Sequence, residues 1–215
     1  MAISAELADA FASVLGSISA TEVGNHLRNL RQAGLVSVAG RGASAAQMTA
    51  DDAINVVLAI LGSERVKDSV STAQQLAALR VTAHRVNWRH GPRDQRQSWA
   101  QYPLLSLPPD HTLHDALRCL FGVTALCLGH HTENADAQAS FSTFNRAPPT
   151  FHVKIYYPHY KANIQVSLRG MAREYWTYNL PAAGGAGVST GDLIQTREFS
   201  DVTVTRICQL LGAPK

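Results

Sequence analysis

Charge is scarce in this chain. Lys, Arg, Asp and Glu together make up 16% of its 215 residues, against roughly a quarter in ordinary soluble domains. Hydrophobic residues reach 46%, so a sizeable core can be buried and gross disorder is excluded. Cysteine is rarer still. Cys119, Cys127 and Cys208 are odd in number and lack C-x-x-C spacing, which argues against a disulfide framework and a zinc ribbon. Buried or half-buried thiols in a reducing compartment are expected instead. No apolar run has the length of a membrane span. The N-terminus has no basic segment leading into an apolar one, so no signal peptide is expected. These absences predict a cytoplasmic protein with no membrane partner.

Several catalytic signatures are also missing. There is no His-Glu-x-x-His pair. The run Gly184-Gly185-Ala186-Gly187 lacks the Gly-Lys-Ser/Thr end of a phosphate-binding loop. His111, His114, His130 and His131 lie near Cys119 and Cys127 in sequence, but nothing makes them converge as three or four metal ligands. The reading is of no enzyme, no cofactor and no metal site. The net charge is +3 and the pI about 8.9, which is compatible with a nucleic-acid partner; where the arginines sit decides more than their sum.

What is present begins at the N-terminus. Ile3, Leu7, Ala8, Phe11, Val14 and Leu15 have helical spacing, with Ser4 as a cap and Gly16 as a stop. Thr21 is expected to cap a second helix, which turns Val23, Leu27, Leu30 and Ala33 inward. His26, Arg28, Asn29, Arg31 and Gln32 fall on its other sides, a set rich in donors for phosphates and base edges. Gly34 suits a left-handed helix end, with Leu35 folding back. Gly24, inside the helix, costs about 1 kcal/mol against Ala and permits close approach of a helix or backbone. Val36-Ser37-Val38, Gly40-Arg41-Gly42 and Ala43 to Met48 read as a hairpin. Thr49 then caps a third helix, with Asp51 and Asp52 in its first turn and Ile54, Val57, Leu58 and Leu61 as its stripe.

The passage from Leu7 to Thr49, with its paired Leu27 and Leu30, the run Ala33-Gly34-Leu35-Val36 and Arg41 at a glycine-flanked tip, resembles the helix–turn–recognition helix–wing segment of bacterial and phage winged helix-turn-helix transcriptional regulators. That resemblance implies that helix 21–33 enters the major groove of double-stranded DNA. It makes Arg28, Asn29, Arg31 and Gln32 the groove contacts, and His26 and Arg41 contacts to the backbone or minor groove. It also implies a homodimer on a palindromic site.

Residues 64–90 read as one long helix, on which Arg85 and Arg89 share a face. With Arg80, Arg93 and Arg96 nearby, that face reads either as a basic patch suited to phosphate or as a solvated basic face that pairs with acids elsewhere. Residues 97–110 are broken by prolines, 111–128 are helical, and 132–150 form a polar linker. Alternation then predicts a three-stranded meander over residues 151–180, and a terminal helix from about Asp201. The meander's aromatics, Tyr156, Tyr157, Tyr160, Tyr175, Trp176 and Tyr178, lie among Lys154, Lys161, Arg169 and Arg173. They could stack single-stranded nucleic acid; the simpler expectation is that they pack against helix 111–128 or a second subunit.

The expected fold is α+β: a winged helix-turn-helix over residues 1–63, then a body over 64–215 with a helical middle, an antiparallel meander and a terminal helix. The expected function is a DNA-binding transcriptional regulator. The alternative is an interaction module that binds a host protein through the body without touching DNA.

Overall fold

The computed structural model describes residues 4–38, 48–88, 104, 107–130, 150–168, 172–180 and 195–212. The fold is α+β: six α-helices are described, with a five-stranded antiparallel sheet. The helices are α1 Ser4–Leu15, α2 Ala20–Gln32, α3 Ala50–Gly62, α4 Ser69–Ala77, α5 Leu113–Cys127 and α6 Asp201–Gly212. The strands are β1 Arg80–Trp88, β2 Thr150–Tyr157, β3 Lys161–Leu168, β4 Ala172–Asn179 and β5 Gln195–Ser200.

Local signals set most helix ends. Gly16 and Gly34 take positive φ, 63° and 71°, just beyond α1 and α2. After α2, the Leu35 N–H returns to the Leu30 carbonyl at 2.9 Å and the Gly34 N–H to the Arg31 carbonyl at 3.0 Å, which satisfies carbonyls the helix leaves open. The start of α2 differs from expectation: Ser19, not Thr21, is its cap, accepting from the Glu22 N–H at 3.2 Å. Thr49 opens α3 with a capping box, in which Asp52 closes back on the Thr49 N–H. Thr112 and Asp115 repeat that device at α5.

α3 is the central helix, buried over almost its whole circumference. It packs on α4, and Gly62 permits the contact: a Cβ there would sit 2.3 Å from Leu76 Cδ1 and 2.6 Å from Thr72 Cγ2. Both neighbours are buried and cannot swing away. Gly62→Ala is therefore expected to cost about 1–3 kcal/mol by overpacking, despite alanine's better helix propensity. A urea melt in which the variant matches or exceeds the parent would show that the two helices can separate freely.

Residues 64–90 are not one helix. A 3-10 turn at Val66–Asp68 leads into α4, and the chain then extends as β1. The cause of the misreading is a bulge between Val81 and Ala83 in the pairing with β4. It puts Val81, His84 and Val86 opposite the inward-facing Tyr178, Trp176 and Glu174. Their spacing of three and then two imitates a helical period where plain alternation would have revealed a strand.

The sheet runs in the order β1-β4-β3-β2-β5. The expected meander is its centre, β2-β3-β4; β1 adds to one edge and β5 to the other. The inner face carries Phe151, Val153, Ile155, Ala162, Ile164, Val166, Trp176, Tyr178 and Phe199, all buried. α3 and α6 pack on its β2–β5 side, and α6 also packs on α1 and α5. The buried apolar residues form one cluster that draws on every helix described. Arg197, on the inward register of β5, donates to the Ile60 and Ser63 carbonyls at 3.0 and 2.7 Å. A cation thus satisfies the C-terminal end of α3, where the helix dipole is negative.

Candidate nucleic-acid interface

The donor set expected on α2 divides in two. Val23, His26, Leu27 and Leu30 form the buried stripe, a regular i, i+3, i+4, i+7 pattern in which a histidine fills one apolar position. Ala33, expected inside, is exposed. His26 is therefore not an outward contact. The Ser69 hydroxyl donates to the Val66 carbonyl and so accepts from His26 Nδ1 at 2.7 Å, which places the imidazole proton on Nδ1. Burial lowers the His26 pKa and, with the Arg197 charge, outweighs the opposing pull of Glu22. Asn29 is half-buried, and its amide donates to the same Val66 carbonyl at 2.8 Å. Its donor is thus committed within the chain. Arg28 and Gln32 are exposed and Arg31 is half-buried, so these three remain available on one edge of the helix.

Gly24 lies on this edge. A Cβ added there would meet no atom within 4 Å, so no close helix contact within the described residues explains the glycine. It borders an open groove between α1 and α2, lined by Asp9, Thr21, Leu27 and Arg31 among others. Of the expected hairpin, residues 36–38 form no strand, and the tip with Arg41 lies outside the described residues. On its flanks, Ser37 N–H donates to Asp52 Oδ1 at 2.7 Å and Asn55 donates to the Leu35 carbonyl at 2.7 Å.

Arg85 is not on a helix face. It is exposed on edge strand β1, with its guanidinium over the Tyr175 ring at 5.2 Å. Arg89, its expected helical neighbour, lies outside the described residues. Arg80 pairs with Asp110 at 3.3 Å, both side chains largely exposed.

The sheet sorts the aromatics. Trp176 and Tyr178 are buried on the inner face, where Tyr178 reaches His111 beside α5; packing near that helix was the simpler expectation for them. Tyr156 and Tyr175 fall on the opposite, outer register. That register also carries His152, Lys154, Asn163, Gln165, Arg173 and Thr177. Period-two alternation from Phe151 onward could have placed Lys154 and Tyr156 outward from sequence alone. No sequence signal paired Arg85 with Tyr175.

The inner face holds a second polar group. Glu174 is buried, with Trp176 Nε1 donating to its carboxylate at 3.2 Å. Burial pushes its pKa up to about 7, against the opposing indole hydrogen bond. His84 stacks on Trp176 with ring centroids 3.8 Å apart, and His111 bonds the Tyr178 hydroxyl at 2.9 Å and the Pro108 carbonyl at 2.7 Å. Burial lowers the pKa of both histidines. Among the described residues no group of three or more His, Cys, Asp or Glu is placed to hold a metal, and no helix is long and apolar enough to cross a membrane. Comparison with protein-family models, with curated proteins and with solved structures finds no match for the chain.

Proposed function

We propose that the protein is a DNA-binding regulator that docks the exposed edge of α2 in the major groove of a duplex. Arg28 and Gln32 reach base edges or phosphates, Arg31 supports them from its half-buried position, and two copies together occupy a palindromic site. The observation that carries this reading is Gly24. It sits inside a helix, where glycine costs about 1 kcal/mol against alanine, and an added Cβ would meet nothing within 4 Å. A surface that must let a nucleic-acid backbone come close accounts for it. The contact set is narrower than the sequence suggested, because His26 and Asn29 hold α2 against residues 66–69. Their role is to fix the angle at which the helix is presented.

The test is a duplex-binding titration across salt. Arg28→Ala and Arg31→Ala should each weaken binding and lower the salt slope by about one. Gly24→Ala should raise thermal stability by about 1 kcal/mol and weaken binding at the same time. Unchanged affinity in both arginine variants would remove α2 from the interface. A Gly24→Ala protein that is more stable and binds as the parent does would remove the close approach.

A further inference from the structure

We propose that the outer face of the sheet is a binding platform for single-stranded nucleic acid, separate from α2 and independent of the duplex reading. Three observations meet there. The first is charge. The outer registers of the five strands carry Arg85, Lys154, Lys161 and Arg173 against one acid, Glu198. Glu198 is taken up by Lys154 at 3.3 Å. In a chain with so few charges, such one-sidedness fits a polyanion.

The second is ring placement. Tyr156 and Tyr175 project from the same face, and each has a cation over its ring: Lys161 at 5.6 Å and Arg85 at 5.2 Å. Tyr156 lies opposite Lys161, and Tyr175 opposite Gln165. That offset of four residues along the strands and two strands across is about 13 Å by about 10 Å. A base can stack on each ring while the displaced ammonium or guanidinium turns to the adjoining phosphate.

The third is the ground beside Tyr175. A hollow of about 180 Å³ opens there, lined by His152, Lys154, Asn163, Gln165, Tyr175 and Thr177 among others, and Asn163 links it to Tyr156 by donating to that hydroxyl at 3.2 Å. Amide and hydroxyl groups of this kind hydrogen-bond the edges of splayed bases, which only a single strand offers to a flat sheet. A duplex keeps its base faces stacked, so the two tyrosines would gain nothing from it.

The experiment is fluorescence anisotropy with labelled oligo-dT and oligo-U of about twenty nucleotides, from low to moderate salt. Binding is expected to at least one of them, and a preference would identify DNA or RNA as the strand bound. Tyr175→Ala should weaken it about ten-fold or more, Tyr175→Phe should retain it, and Arg173→Ala should lower the salt slope by about 0.7. Arg28→Ala and Arg31→Ala should leave it unchanged, which separates this platform from α2. Tyr175 and Arg173 are half-exposed, so melting temperatures of the variants should stay near the parent's. The proposal is overturned if neither oligonucleotide binds at low salt, if Tyr156→Ala and Tyr175→Ala both bind as the parent does, or if single-strand binding disappears with the α2 variants.

Discussion

Replacing Glu174 with glutamine should remove a fall in stability that the parent protein suffers as pH rises from about 4.5 to 7. The carboxyl is 1% exposed, and its pKa in the fold is about 7 against an ordinary 4.5. Over that interval the folded chain holds a proton that the unfolded chain has released. The unfolded state therefore binds fewer protons, and unfolding free energy decreases as pH increases. The stabilisation is fully present below pH 4.5, is lost through the folded value, and changes no further above it. A displacement of this size corresponds to a difference on the order of 3 kcal/mol between the two ends of the window. His26, His84 and His111, with lowered pKa values, act in the opposite sense: each contributes stability above its unfolded value that is lost as pH falls. They are common to both proteins, so the difference between parent and Glu174→Gln isolates the carboxyl. Urea unfolding at a series of pH values is the measurement. A constant difference from pH 4 to pH 9 would mean that Glu174 ionises as freely as a surface carboxylate.

Asp52→Ala should destabilise the fold by about 3 kcal/mol. Asp52 is 4% exposed. Its Oδ1 accepts from the Ser37 N–H at 2.7 Å, and its Oδ2 accepts from the Thr49 N–H at 2.8 Å and the Thr49 hydroxyl at 2.9 Å. One carboxylate thus holds both flanks of residues 39–47 to the start of α3 and completes that helix's capping box. Hydrogen bonds to a charged acceptor contribute about 1.5–3 kcal/mol each, and water can replace part of what is lost where the donors are partly open. Asp52→Asn keeps one acceptor oxygen and should lose about half as much. Denaturant midpoints at constant m-value would read both changes. A loss below about 1 kcal/mol for Asp52→Ala would show that Ser37 and Thr49 find other acceptors. Any duplex contact made from residues 39–47, including Arg41, should weaken in parallel with stability.

The helices were readable where their signals are local. A cap acts over three residues, as between Thr49 and Asp52 or Thr112 and Asp115, and a buried stripe repeats within one or two turns. The spacing 23, 26, 27, 30 in α2 is equally local, but a histidine in an apolar position disguises it. Its burial depends on Ser69, 43 residues away. β1 is disguised for a different reason: its bulge breaks the alternation that announces a strand, and its pairing partners lie 84 to 99 residues on. β5 is six residues long and joins the sheet beside β2, so nothing nearby in sequence marks it.

The candidate site follows the same division. By itself the sequence determined that this is a sparsely charged α+β chain with capped amphipathic helices, an alternating strand region rich in aromatics, and basic residues clustered near both. Tertiary structure alone decided which of those residues meet. It turned His26 and Asn29 inward, brought Arg85 across the sheet edge to Tyr175, and left Tyr156 outward while burying Trp176 and Tyr178. The physical reason is that periodicity encodes a face within one element. Which face is buried, and what lies beside it, depends on strand order, register and helix packing between segments far apart in the chain.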